Sequence, residues 1–119
     1  MKSLPELASI MRSDWDRRAQ HDYRFWITNE VKKDSVIWDE GARDLAAFLA
    51  GVEPAADWIA LEVGCGVGRM LQPASKRFGR VIGVDVSQKA IQKAGELLSE
   101  NKIQLLTNSG FDLTSIPNQ

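Results

Sequence analysis

One cysteine and one histidine occur among 119 residues, and neither charge sign is in excess, with 15 Lys and Arg against 16 Asp and Glu. A lone cysteine makes no internal disulfide, which sets aside disulfide-stapled secreted folds and fits a reducing compartment, the cytoplasm. No histidine and cysteine cluster with metal-ligand spacing is visible, so no metal is expected. The near balance of charge leaves no bulk positive field to gather nucleic acid or an anionic membrane surface. The short basic pairs Lys32-Lys33 and Lys76-Arg77 read as solvated surface and not as a nucleic-acid patch. No uncharged stretch approaches the roughly 20 residues that span a bilayer, and no uninterrupted apolar segment follows Lys2, so a soluble, unexported chain is expected. What is present is 44% apolar residues with four Trp and four Phe, enough for one packed domain.

Ser3-Leu4-Pro5-Glu6 has the form of a capping box, and Leu4, Leu7, Ala8, Met11 and Trp15 follow at helical spacing, with Arg12, Asp14, Asp16 and Arg17 on the other side. An amphipathic helix is expected there. The aromatic segment His21 to Ile27 and the polar stretch Asn29 to Ser35 follow, and residues 1–35 are read as an amino-terminal helical or lid segment. Leu45, Phe48, Leu49 and Val52 predict the buried face of a helix over 39–50, capped by Gly51. From Asp57 onward the period alternates: strand 58–63, helix 69–78, strand 80–85, helix 88–100, strand 103–107. Regular alternation implies right-handed crossovers, hence an α/β fold with a Rossmann-like, partial doubly wound parallel sheet of about three strands and amino-terminal helices. Ser87 opens the later helix, whose buried face is expected to hold Ala90, Ile91, Ala94, Leu97 and Leu98.

The most informative stretch is Leu61-Glu62-Val63-Gly64-Cys65-Gly66-Val67-Gly68, which places three alternating glycines on the turn between a strand and a helix. Glycine allows positive φ and has no Cβ, so a ligand can approach backbone amides closely. The dinucleotide pattern G-x-G-x-x-G needs its third glycine at position 69, where Arg69 stands, and no Lys follows the glycines to make a phosphate loop. Glu62 repels a pyrophosphate and suits a cationic or amine-bearing ligand. Asp85, 21 residues after Gly64, falls where one strand-helix-strand unit returns to the same crevice, and a carboxylate there accepts two hydrogen bonds from a vicinal diol.

These residues resemble the class I S-adenosylmethionine-dependent methyltransferases, whose first motif is an acid followed by G-x-G-x-G, here Glu62, Gly64, Gly66 and Gly68. Gly83-Val84-Asp85-Val86-Ser87 is similar to the family's second cofactor motif, and Asn108-Ser109-Gly110 to the segment after the third strand. The resemblance covers residues 36–113 and implies the cofactor S-adenosylmethionine, with S-adenosylhomocysteine as product. It implies that Glu62 and the glycine amides hold the methionine end, Asp85 the ribose, and Val86, Ser109 and Gly110 the adenine. Ser109 replaces a commonly acidic residue, which weakens the expected adenine contact. Cys65 is counted with the cofactor-binding residues, its thiol read as a packing group without chemistry.

Methyl transfer to an unknown acceptor is therefore the expected function, with residues 36–119 forming the cofactor-binding half of the domain. The family's further strands have no counterpart before Gln119, so the alternative is a catalytically incompetent fragment that self-associates or pairs with another chain through an open sheet edge. A nicotinamide-dependent oxidoreductase is a third reading, kept because it shares the Asp85 logic and weakened by Arg69 in place of a glycine. His21 as a base and Tyr23, Trp26 and Trp38 as aromatic neighbours of a sulfonium are weighed against surface or core packing, and packing is preferred.

Overall fold

A computed structural model describes residues 1–20 and 34–117. The elements are α1 (Leu4–Gln20), α2 (Asp34–Phe48), β1 (Ile59–Val63), α3 (Leu71–Ser75), β2 (Arg80–Asp85), α4 (Gln88–Leu97) and β3 (Ile103–Thr107). The three strands form one parallel sheet in the order β1-β2-β3, with Glu62 beside Gly83 and Asp85 beside Thr107. This is the expected Rossmann-like half-sheet, and β2 and β3 begin and end where hydrophobic patterning places them.

Side chains alternate across the sheet, so Ala60, Val81, Ile103 and Leu105 share one face with Gly83. That face carries the core, in which Cys65, Leu71, Ala74 and Val81 are buried and Leu45, Phe78, Ile91 and Leu98 pack around them. A Cβ on Gly83 would lie 2.5 Å from Leu71 and 3.0 Å from the Cys65 sulfur, so glycine is what lets the loop and α3 press onto β2.

Several expectations need correction. β1 runs over Ile59–Val63 and not 58–63; it is an edge strand among the described residues, and Ile59, Leu61 and Val63 are exposed. α2 starts at Asp34 and not near 39, and its contact face is Ile37, Gly41 and Leu45; Phe48 and Val52, expected inside, are exposed. The cause is at Gly41, where any Cβ would strike the carbonyl of Arg69, so the helix lies closest to the glycine loop through that position. α3 spans five residues within the expected 69–78, since its last turn tightens: the amides of Lys76 and Arg77 donate three residues back, to Pro73 and Ala74. α4 stops at Leu97 because Leu98 turns extended, at φ −95 and ψ 130. Ala90 and Ala94 are buried on it, while Ile91, Leu97 and Leu98 are half-buried.

The amino-terminal capping box forms as expected: the Ser3 amide donates to Glu6 Oε2 at 2.7 Å and the Glu6 amide to Ser3 Oγ at 3.3 Å. α1 then runs 17 residues and packs on α4. Leu4 and Leu7, on the apolar side of the sequence pattern, are exposed, and only Ala8 of α1 is buried.

Candidate functional site

At the carboxyl ends of β1 and β2 lies a cavity of about 500 Å³, the size of a small-molecule site. Its floor is the glycine loop. The loop folds back because the amides of Gly64 and Cys65 both donate to the Val84 carbonyl, at 2.8 and 3.0 Å. Gly64 and Gly66 have φ of +76 and +56, and a Cβ on either would meet nothing, so their backbone is open. Gly68, at φ +92, is different: a Cβ there would lie 2.6 Å from Leu98. Gly68 is buried and does not line the cavity, so it shapes the loop without facing a ligand. α3 is too short to sum a strong axial dipole, which leaves the loop amides themselves as the local donors.

Asp85 closes the turn from the other side. Its Oδ2 accepts the Gly66 amide at 2.8 Å and its Oδ1 the Ser87 amide at 2.9 Å. Two amides occupy two of about four lone-pair positions, so the carboxylate, fixed in direction, keeps acceptor capacity for a diol. The Asn108 amide donates to the Asp85 carbonyl at 3.0 Å, which brings Asn108 and Gly110 to the cavity beside Val86.

Glu62 lies on the wall formed by the end of β1. Burial pushes its carboxyl up to about 7, against the pull of the Arg69 guanidinium and with the Asp85 carboxylate adding to the rise. It is thus poised to ionise when a cation arrives. Arg69 also lines the cavity and is braced by Asp44 of α2 at 2.5 Å. Burial pushes the Cys65 thiol upward, which keeps it protonated and unreactive, in keeping with a packing role for its side chain.

Of the residues expected at the site, Glu62, Gly64, Cys65, Gly66, Asp85, Val86 and Gly110 line this one cavity, and Gly68 and Ser109 do not. The Ser109 hydroxyl is engaged in its own turn: it accepts the amides of Phe111 and Asp112 at 3.2 and 3.1 Å and donates to Asp112 Oδ1 at 3.0 Å. Trp38 is half-buried on α2, away from the cavity, and His21, Tyr23 and Trp26 lie outside the described residues.

Sequence reasoning read residues 1–35 as a helical or lid segment but did not single out the residues that roof the cavity. Met11, Trp15, Arg18 and Ala19 of α1 line the cavity opposite the glycine loop. Their spacing of four, seven and eight residues is that of one helix face, which was a usable signal. The Arg18 guanidinium stacks 4.9 Å from the Trp15 ring centre. At the far end a Cβ on Gly110 would lie 2.6 Å from Met11 and 2.9 Å from Val86, so α1 sits directly on the β3 loop. Among the described residues no group of three metal-ligating side chains occurs, and no helix is long and apolar enough to cross a membrane.

A family model described as a methyltransferase domain matches residues 60–119. The curated 23S rRNA (uracil(1939)-C(5))-methyltransferase of Alcanivorax borkumensis is 36% identical over 70 residues, which is 59% of this chain and 15% of that protein. Among solved structures, magnesium protoporphyrin IX methyltransferase from Synechocystis with bound S-adenosylmethionine aligns over 85% of this chain and 53% of its own, with a TM-score of 0.59 and 21% identity. An S-adenosylmethionine-bound amino pentose methyltransferase from Micromonospora echinaspora aligns over 64% of this chain and 32% of its own, at 29% identity and a TM-score of 0.50. The chain thus spans between about one seventh and about half of the length of these relatives. It belongs to the methyltransferase-domain family, as the motif resemblance implies.

Proposed function

We propose, from that membership and from the geometry of the cavity, that the chain binds S-adenosylmethionine and serves methyl transfer. The observation that carries the reading is the shared cavity: an acid at the end of β1, open loop amides and a fixed carboxylate at the end of β2 all face one space. Glu62 holds the ammonium of the methionine end with the Gly64 and Gly66 backbone. Asp85 receives the ribose hydroxyls, and Val86 and Gly110 flank the adenine, with Ser109 shaping the loop that presents Gly110. Cys65 packs beneath the loop and Gly68 sets its curvature.

In the reaction the acceptor's lone pair forms a bond to the methyl carbon as the carbon–sulfur bond breaks, and the sulfur keeps the electron pair to become a thioether. The methyl group is already activated, so the protein's contribution is alignment and exclusion of water. Residues 1–35 act as a lid segment over the cofactor domain of residues 36–119, in a reducing cytoplasm where the buried thiol stays reduced. Calorimetric titration with S-adenosylmethionine and S-adenosylhomocysteine, with NAD as control, tests this: saturable binding of the first two alone supports it, and binding of NAD alone overturns it.

A second reading has its own observation. The exposed Ile59, Leu61 and Val63 on the β1 edge make a template for strand pairing with a second copy of this chain, in which case association, and not catalysis, dominates. A concentration-dependent mass by light scattering supports it; a monomer across the whole range refutes it.

A further inference from the structure

Asp16 ties α1 to the start of α4 through its side chain. Its Oδ1 accepts from the Ser87 hydroxyl at 2.6 Å and from the Lys89 amide at 3.1 Å, across 71 and 73 residues of chain. Ser87 is 1% exposed and caps α4, its Oγ accepting the Ala90 amide at 3.0 Å. The same residue's amide holds Asp85 Oδ1 at 2.9 Å, and Asp85 Oδ2 holds the Gly66 amide. One hydrogen-bonded line therefore runs from α1 through the helix cap to the site carboxylate and on to the glycine loop.

α1 needs such a fastening. Ala8 is its one buried residue, while Met11 and Trp15, which roof the cavity, keep 36% and 41% of their surface exposed. Apolar burial against the domain is thus modest, and a carboxylate on the Ser87 hydroxyl and the Lys89 amide adds both hydrogen bonds and a favourable charge at the start of α4.

We propose that Asp16 is a positioning residue for the cofactor cavity: it latches α1 onto the start of α4 and, through Ser87, fixes the Asp85 carboxylate, so that docking of the roof and binding of the ligand strengthen one another. The inference rests on the reading that this cavity takes S-adenosylmethionine. The coupling follows from linkage, because a ligand that touches Met11 and Trp15 as well as Asp85 binds best when all are held together, and by reciprocity it tightens the latch. Loss of one cap-type contact corresponds to about a tenfold change in an equilibrium.

The test compares the wild-type chain with Asp16→Ala and Asp16→Asn, the amide keeping an Oδ1 that can accept from Ser87 and Lys89. S-adenosylhomocysteine affinity is measured by calorimetry, and hydrogen exchange is followed with and without the ligand. The expected result is an affinity about tenfold weaker for Asp16→Ala, largely restored in Asp16→Asn, with the ligand slowing exchange across residues 7–19 in the wild type and not in Asp16→Ala. Asp16→Ala binding as tightly as the wild type, or ligand leaving exchange in α1 unchanged, overturns the latch while leaving the cofactor reading intact. No binding to the wild type overturns both. Should Asp16→Ala unfold, the cycle of Asp16→Ser, whose shorter side chain does not reach the Ser87 hydroxyl, with Ser87→Ala decides: additive effects on affinity contradict the latch, and non-additive effects support it.

Discussion

The floor and the roof of the cavity are built on different principles. The floor, from Glu62 to Gly68 and from Gly83 to Ser87, is made by chain neighbours: two parallel strands in register, a loop with three positive-φ glycines, and amides that close on Val84 and Asp85. The roof is a single helix brought in from the far end of the sequence and joined to α4 through Asp16. Floor residues are constrained by backbone geometry, so their substitution damages the site wherever it falls. Roof residues act through side chains on one helix face, so their substitution is graded. A site that needs both a fixed electrostatic frame and a way in for ligand gains from that division, since the less tightly packed element can open at low cost.

The largest effect is expected in the floor. Asp85→Ala removes the acceptor for a ligand diol and leaves the Gly66 and Ser87 amides without their partner; two charge-assisted hydrogen bonds at about 1.5 to 3 kcal/mol each imply a fall in S-adenosylhomocysteine affinity of about a hundredfold or more. Calorimetry checks this, and a loss of less than threefold would remove Asp85 from the site.

Next is the loop itself. Gly68→Val forces a β-branched residue to φ +92 and drives it into Leu98, for a stability loss of about 3 kcal/mol in urea unfolding. The same change at Gly64 meets the φ penalty without a clash, so its stability loss is smaller and its main effect falls on ligand binding. Equal stability losses at the two positions would break the distinction between loop shape and ligand access.

The pH dependence of binding separates floor from roof in another way. Glu62 titrates near 7 in the free chain, and an incoming ammonium favours its ionised form, so affinity is expected to rise about tenfold between pH 6 and 8 and then level. Glu62→Gln abolishes that rise. The sign for stability is opposite: a carboxyl whose folded value is raised from 4.5 to about 7 destabilises the fold progressively as pH climbs through that window, and Glu62→Gln removes the decline. A wild-type affinity flat from pH 6 to 8 would contradict the assignment of Glu62 to the ammonium.

Smallest is the roof. Trp15→Ala removes a half-exposed ring and its stack on Arg18, and should weaken S-adenosylhomocysteine by about three- to tenfold with little change in unfolding midpoint. A loss as large as that of Asp85→Ala would erase the contrast between the two regions.

The same division explains what was legible in the sequence. β2, β3, the positive-φ glycines, the Ser3 and Glu6 capping box and the Ser87 cap all rest on short-range patterns, and each is where those patterns put it. The burial of Phe48 and Val52 was misread because helix periodicity fixes a stripe but not which stripe is used; Gly41 and Ile37, one and two turns before Leu45, set the contact. Ser109 was read by position as a ligand contact, whereas its hydroxyl is committed to the following turn. Asp16 sits among charges on the polar side of an amphipathic helix, and no local pattern distinguishes it from Asp14, which pairs with Arg17 and Arg18 on the same helix. Only the folded chain brings it to Ser87.

The most direct test of the central claim is a map of backbone amide shifts in the labelled chain on titration with S-adenosylhomocysteine. The account predicts saturable shifts at Gly64, Gly66, Asp85, Val86 and Gly110, joined by Met11 and Trp15 across the cavity. Saturable shifts confined to residues away from the carboxyl ends of β1 and β2, or no shifts at millimolar ligand, would contradict it.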